Sequence, residues 1–107
     1  MSSQYFKYKI EYDNNCGDME NKTLYVQENN TIDFRVVVNE DGTLPEFHGS
    51  DCYCDAMSVV LGLGMDCKKS SYSVERIECG WLSMPDPVKE YFNPRLYQEL
   101  KEKQDKK

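Results

Sequence analysis

The chain has 107 residues, 39% of them apolar and 12% aromatic, with 19 acidic against 13 basic side chains and a formal charge of -6. That length makes one domain, which on folding removes roughly two-thirds of its unfolded surface from water. The composition is too aromatic for intrinsic disorder and too charged for a membrane-embedded chain. No apolar run approaches the roughly 18 residues of a spanning helix, and the opening MSSQYFKYKIEY carries no apolar signal core, so the expected location is the cytoplasm.

Tyr5 to Asp13 alternates, with Phe6, Tyr8, Ile10 and Tyr12 on one side and Tyr5, Lys7, Lys9 and Glu11 on the other, which predicts a half-buried strand. A turn-rich connection through Asn14, Asn15, Cys16, Gly17 and Asp18 leads to a second strand over 22–28, where Leu24 and Val26 oppose Thr23, Tyr25 and Gln27. Asn29 and Asn30 suit a tight turn, because Asn tolerates positive φ. Thr31 to Asn39 is a third strand with Ile32, Phe34, Val36 and Val38 expected inward, ended by Glu40-Asp41-Gly42.

After the polar stretch around Pro45, Glu46, His48 and Gly49, Ser50 or Asp51 is placed to cap a helix. Its apolar stripe reads Cys52, Ala56, Val59, Val60 and Leu63, closed by Gly62 and Gly64. Tyr72 to Cys79 predicts a fourth strand, which Trp81 to Met84 would extend or pair with. Asp86-Pro87 and Asn93-Pro94 each combine a capping residue with a first-turn proline, predicting a short helix from Pro87 and a longer one from Pro94 to about Lys103. Arg95, Glu99 and Lys103 form opposite-charge i,i+4 pairs that support the second. The whole reads as one α+β domain, 1–107: an antiparallel meander of three N-terminal strands plus one or two later strands, packed by one central helix, with a C-terminal helix and a charged tail from about 101.

Chemistry is sparse. The cysteines are Cys16, Cys52, Cys54, Cys67 and Cys79, and an odd count in a chain expected to be cytoplasmic argues against a disulfide framework. His48 with Cys52, Cys54, Cys67 and Cys79 has the side chains of a zinc or thiol redox module. The spacing is wrong for paired Cys-x-x-Cys knuckles, and on a helix Cys52 and Cys54 lie about 200° apart. A Cys/His enzyme would draw Cys52 or Cys54, His48 and Asp51 together, but no nucleophile elbow or oxyanion signature accompanies them. The sequence therefore reads as non-enzymatic, with free thiols and no cofactor.

Charge is more informative. Between Glu11 and Asp55 there are eleven acids against Lys22 and Arg35. Such a surface repels nucleic acid, whose binding requires phosphates to be neutralised by Lys and Arg. It steers instead toward a protein with a basic patch. Asp13, Asp18, Glu20, Glu40, Asp41 and Glu46 are the expected contacts. Tyr25, expected outside beside Tyr5 on the polar side of its strand, would add an aromatic anchor. One concrete form is an inhibitor, carried by a phage or mobile element against a defence system, whose carboxylates occupy a groove meant for phosphates. Homo-oligomerisation through an edge strand of the meander is a further expectation.

Overall fold

The computed structural model describes residues 4–14, 17–29, 34–46, 51–63 and 65–105. The alternating N-terminal segment becomes β1 (Gln4–Asp13), the middle strand of a five-stranded antiparallel sheet. Around it lie β2 (Met19–Asn29), β3 (Phe34–Asn39), β4 (Cys67–Lys68) and β5 (Tyr72–Cys79), in the spatial order β3-β2-β1-β5-β4. β1 pairs with β2 from Gln4 opposite Glu28 to Asp13 opposite Met19, and with β5 from Tyr5 opposite Cys79 to Tyr12 opposite Tyr72. The architecture is the α+β meander with later strands and a C-terminal helix that the patterning predicts. The two-residue β4 was not legible. The proposed Asn29-Asn30 turn and the Ser50 cap fall partly or wholly outside the described residues.

One face of the sheet is covered by α1 (Asp51–Ser58), which runs on into a π-helical turn at Val59–Leu63. Tyr53, Ala56, Met57, Val59 and Val60 pack on Phe6, Tyr8, Ile10, Leu24, Val26, Val37 and Val74. The buried stripe thus starts at Tyr53 and not at Cys52, which is half-buried. A tyrosine buries far more apolar area than a thiol, and the Tyr53 ring meets that of Tyr12 at 5.0 Å between centroids. Gly62 lies within the π turn instead of ending the helix.

The other face is also covered, which the sequence reading did not anticipate. Trp81–Ser83 forms a 3-10 turn where a strand extension was expected. It leads into α2 (Asp86–Phe92) and α3 (Pro94–Asp105). Trp81, Met84 and Val88 bury Tyr25 and Val38, flanked by Tyr5, Cys79, Phe92, Tyr97 and Leu100. Each side chain fully withdrawn from water here contributes about 1.5–3 kcal/mol, enough to fix the C-terminal segment on the sheet. The register Val26 opposite Val37 and Tyr25 opposite Val38 sends Val37 to the α1 side and Val38 to the α2 side, correcting the expectation that Val36 and Val38 share the main core.

Capping explains the helix boundaries. Asp86 is the first residue of α2, with Pro85 before it making no side-chain cap, so its start lies one residue earlier than predicted. Asn93 does cap α3: its Oδ1 accepts the Leu96 N–H at 3.2 Å. Residues 101–105 of the charged tail continue α3.

Candidate functional site

The antiparallel register decides where the acids go. The β1–β2 connection carries Asp13, Asp18 and Glu20, and Leu24 opposite Asn39 brings the end of β3 alongside the start of β2. Glu40 and Asp41 therefore border Lys22 and Thr23 around a depression of about 400 Å³. Glu46 joins Lys22, Asn39, Thr43 and Leu44 around an adjoining one of about 290 Å³. All six carboxylates singled out in the sequence lie at one end of the sheet, across its β3, β2 and β1 strands. Asp13 is half-buried and the other five are exposed. Lys22 is the basic side chain that reaches among them, held with its Nζ 5.1 Å from the centre of the Tyr53 ring. Lys68 and Lys69 flank the same end at the β4 edge.

Tight turns position these groups. Asn14 and Asp18 clasp the first connection through Asn14 N–H to the Asp18 carbonyl at 3.0 Å and Asp18 N–H to Asn14 Oδ1 at 3.3 Å. After β3, the Gly42 N–H bonds the Asn39 carbonyl and the Asn39 N–H bonds the Thr43 carbonyl. Gly42 has φ +84°, and a Cβ there would meet the Pro87 carbonyl oxygen at 3.0 Å, so glycine lets this turn seat on α2. Asp41 accepts the Thr43 hydroxyl and backbone N–H, and these bonds, aided by Lys22, hold its carboxyl below the usual carboxylate value. Burial first, and then Glu20, raises the Tyr12 phenol; burial first, and then Glu40, raises that of Tyr25.

Tyr25 does not belong to this surface. It is 6% exposed, under Trp81, Met84 and Val88, because the C-terminal helices cover the side of β2 that simple alternation left to solvent. The apolar side chains actually exposed near the acids are Met19, at 46%, and Leu44, at 60%.

A polar cluster that the sequence reading missed lies toward the opposite end, on the α1 face. Glu28 is only 8% exposed. It accepts Arg35 Nε at 2.9 Å and Arg76 Nη2 at 3.2 Å. Arg76 Nε also donates to Tyr8 Oη at 3.0 Å, and its guanidinium lies 3.7 Å from the centre of the Phe6 ring. Arg35 Nη1 donates to the carbonyls of Leu61 and Gly62, satisfying groups that the end of the π turn leaves open. The signal was available: Glu28 shares the inward parity of Leu24 and Val26, and a carboxylate in that phase requires a cationic partner.

The cysteines do not form one group. Cys54 and Cys67 pack at the margin of the α1-side core, whereas Cys79 packs on the opposite face with Tyr25 and Trp81. The sheet stands between them, so the set Cys52, Cys54, Cys67 and Cys79 cannot close on one ion. Burial raises the Cys79 thiol above its ordinary value. Cys16 and His48 lie outside the described residues. Among the described residues no group of three His, Cys, Asp or Glu side chains is arranged to hold a metal, and no helix is long and apolar enough to cross a membrane. Comparison with family models, with curated proteins and with solved structures finds no match.

Proposed function

We propose that the acidic end of the sheet is a docking surface for a basic patch on a macromolecular partner, and that the protein acts by binding and not by catalysis. The observation that carries this reading is that Asp13, Asp18, Glu20, Glu40, Asp41 and Glu46, from segments separated in sequence, come to the same end of the sheet. Like charges at one end of the sheet repel one another, and the exposed ones gain little for the fold. An oppositely charged partner offsets that repulsion and gains association rate from it. Met19 and Leu44 supply apolar area within a polar surround, the usual composition of a protein interface.

The most specific form of the proposal is occupation of a nucleic-acid groove. Arg and Lys side chains that bind phosphate also accept carboxylates in bidentate geometry. An inhibitor carried by a phage or mobile element against a defence system would work in this way. The test is affinity capture from host lysate at low and high salt with wild-type protein and with a Glu20→Lys/Glu40→Lys variant. The expected result is a partner retained by wild type at low salt and lost both at high salt and from the variant. A partner retained equally by both proteins at both salt concentrations contradicts the reading.

A further inference from the structure

The two edges of the sheet are finished differently. At the β5 side the neighbouring strand β4 is only two residues long, and where it stops the Asp66 carboxylate accepts the Arg76 backbone N–H. A side chain thus takes one of the backbone groups that another strand would need there. Among the described residues the β3 edge has no such device. Its sequence from Arg35 is Arg-Val-Val-Val-Asn, rich in β-branched residues and lacking proline, lysine or glycine.

The hydrogen-bond phase of β3 follows from its end. The Asn39 N–H is taken by Thr43, not by β2, so Asn39 is a position whose backbone groups point away from the sheet. Parity gives Val37 and Arg35 the same orientation, while Val36 and Val38 bond to β2. Among the described residues the outer edge therefore offers the N–H and C=O of Arg35 and of Val37, with the next outward N–H already occupied.

We propose that this edge joins two copies of the chain, with β3 pairing antiparallel to its own copy about a two-fold axis at Val36. Only one register suits the groups on offer. Pairing Arg35 with Arg35 opposes two guanidinium side chains, and pairing Val37 with Val37 brings Arg35 opposite Asn39, whose N–H is taken. Centring on Val36 sets each Arg35 against the partner copy's Val37 in two hydrogen-bonded pairs, and sets Val36 against Val36 in the closer, non-bonded pair. No like charges face each other along Arg35–Val38. The antiparallel arrangement also sends the two acidic ends to opposite ends of the joint, which keeps two negatively charged protomers from repelling where they meet. Because the two-fold contact uses the same edge of both copies, the assembly stops at a dimer instead of growing into a fibre.

Val36 is half-buried and belongs to neither core cluster, so a charge there leaves both clusters intact. Sedimentation equilibrium over a concentration series is expected to show a wild-type dimer. Val36→Lys and Val36→Glu alone should each raise the dimer dissociation constant about tenfold, because like charges then sit directly opposite. Their equimolar mixture should recover a heterodimer. In wild-type protein, amide exchange read residue by residue should slow at Arg35 and Val37 as concentration rises. A wild-type chain that stays monomeric overturns the proposal, as does a dimer in which these two amides exchange as fast as in dilute solution, or one that Val36→Lys leaves intact.

Discussion

Glu28 and Glu40 stand at opposite ends of the meander, and the chain treats them in opposite ways. Glu28 is nearly sealed from water, and two guanidiniums from β3 and β5 close on it across β1 and β2. Glu40 projects from the turn after β3 into solvent, beside Asp41 and Lys22. A buried charge is tolerated only where opposite charge and hydrogen bonds offset its lost hydration. The Glu28 cluster meets that condition within one chain, tying four strands and the end of the π turn together, and so belongs to the fold. The acids at the other end are mostly exposed, so they keep their hydration and the fold does not require such pairing of them. Exposed charges of this kind contribute little to the fold, which leaves them available for the docking role proposed above.

The comparison can be broken most directly at Glu28. Glu28→Ala leaves Arg35 and Arg76 without their shared anion and should destabilise the protein by about 2–4 kcal/mol, read from urea unfolding. The unfolding midpoint should fall while the slope stays constant. An unchanged midpoint would mean that the cluster is incidental to the fold. Gly42→Ala tests the link from the acidic turn to α2. Positive φ and the close Pro87 carbonyl should together cost about 1–2 kcal/mol, measured in the same assay.

The pH dependence sharpens the contrast. Burial raises the phenols of Tyr8, Tyr25 and Tyr53 above their ordinary value, in the case of Tyr8 against the lowering effect of the Arg76 hydrogen bond. A group whose folded value is raised contributes stability that is whole below the unfolded value, near pH 10, and is lost as pH climbs through the folded value. Stability should therefore decline above about pH 10, with tyrosinate absorbance rising together with unfolding. Asp41 has the opposite sign. Its carboxyl is lowered, so its contribution is present above the unfolded carboxylate value and lost as pH falls through the folded one. Asp41→Asn should flatten that acid-side slope.

The smallest effect on stability is expected at the exposed acids. Glu20→Lys or Glu40→Lys should change unfolding free energy by no more than about 0.5 kcal/mol, and toward greater stability at low salt as repulsion is relieved. The same variants should slow association with a basic partner by about tenfold at low salt. Loss of stability comparable to that of Glu28→Ala would place these acids in the fold and remove the distinction.

Much of the scaffold was legible because Phe6, Tyr8, Ile10, Leu24 and Val26 alternate at period two, and because Asn93-Pro94 announces a capped helix. What was hidden follows from one assumption, that the sheet had a single buried face. Tyr25 and Val38 sit at odd parity relative to that pattern, and only the distant Trp81, Met84 and Val88 show that the second face is covered. Short-range periodicity contains no term for such a contact. The Glu28 cluster was obscured for a related reason, since its members lie 7 and 48 residues apart and a charge in an inward phase is easily taken for a break in the strand. The acidic residues were visible as a composition bias. Their gathering at one end depended on the pairing of β3 with β2, which the meander implied but no single segment stated.

The most direct test of the acidic end is site-specific photocrosslinking in living cells, with the reactive group placed at Glu40 in one protein and at Glu78 in another. Both positions are exposed carboxylates, and they lie at opposite ends of the sheet. If the acidic end is the working surface, position 40 yields an adduct with a chain bearing a basic patch, the adduct disappears when Glu20 is changed to Lys, and position 78 yields none. Adducts that form equally from both positions, or from 78 alone, would contradict that assignment.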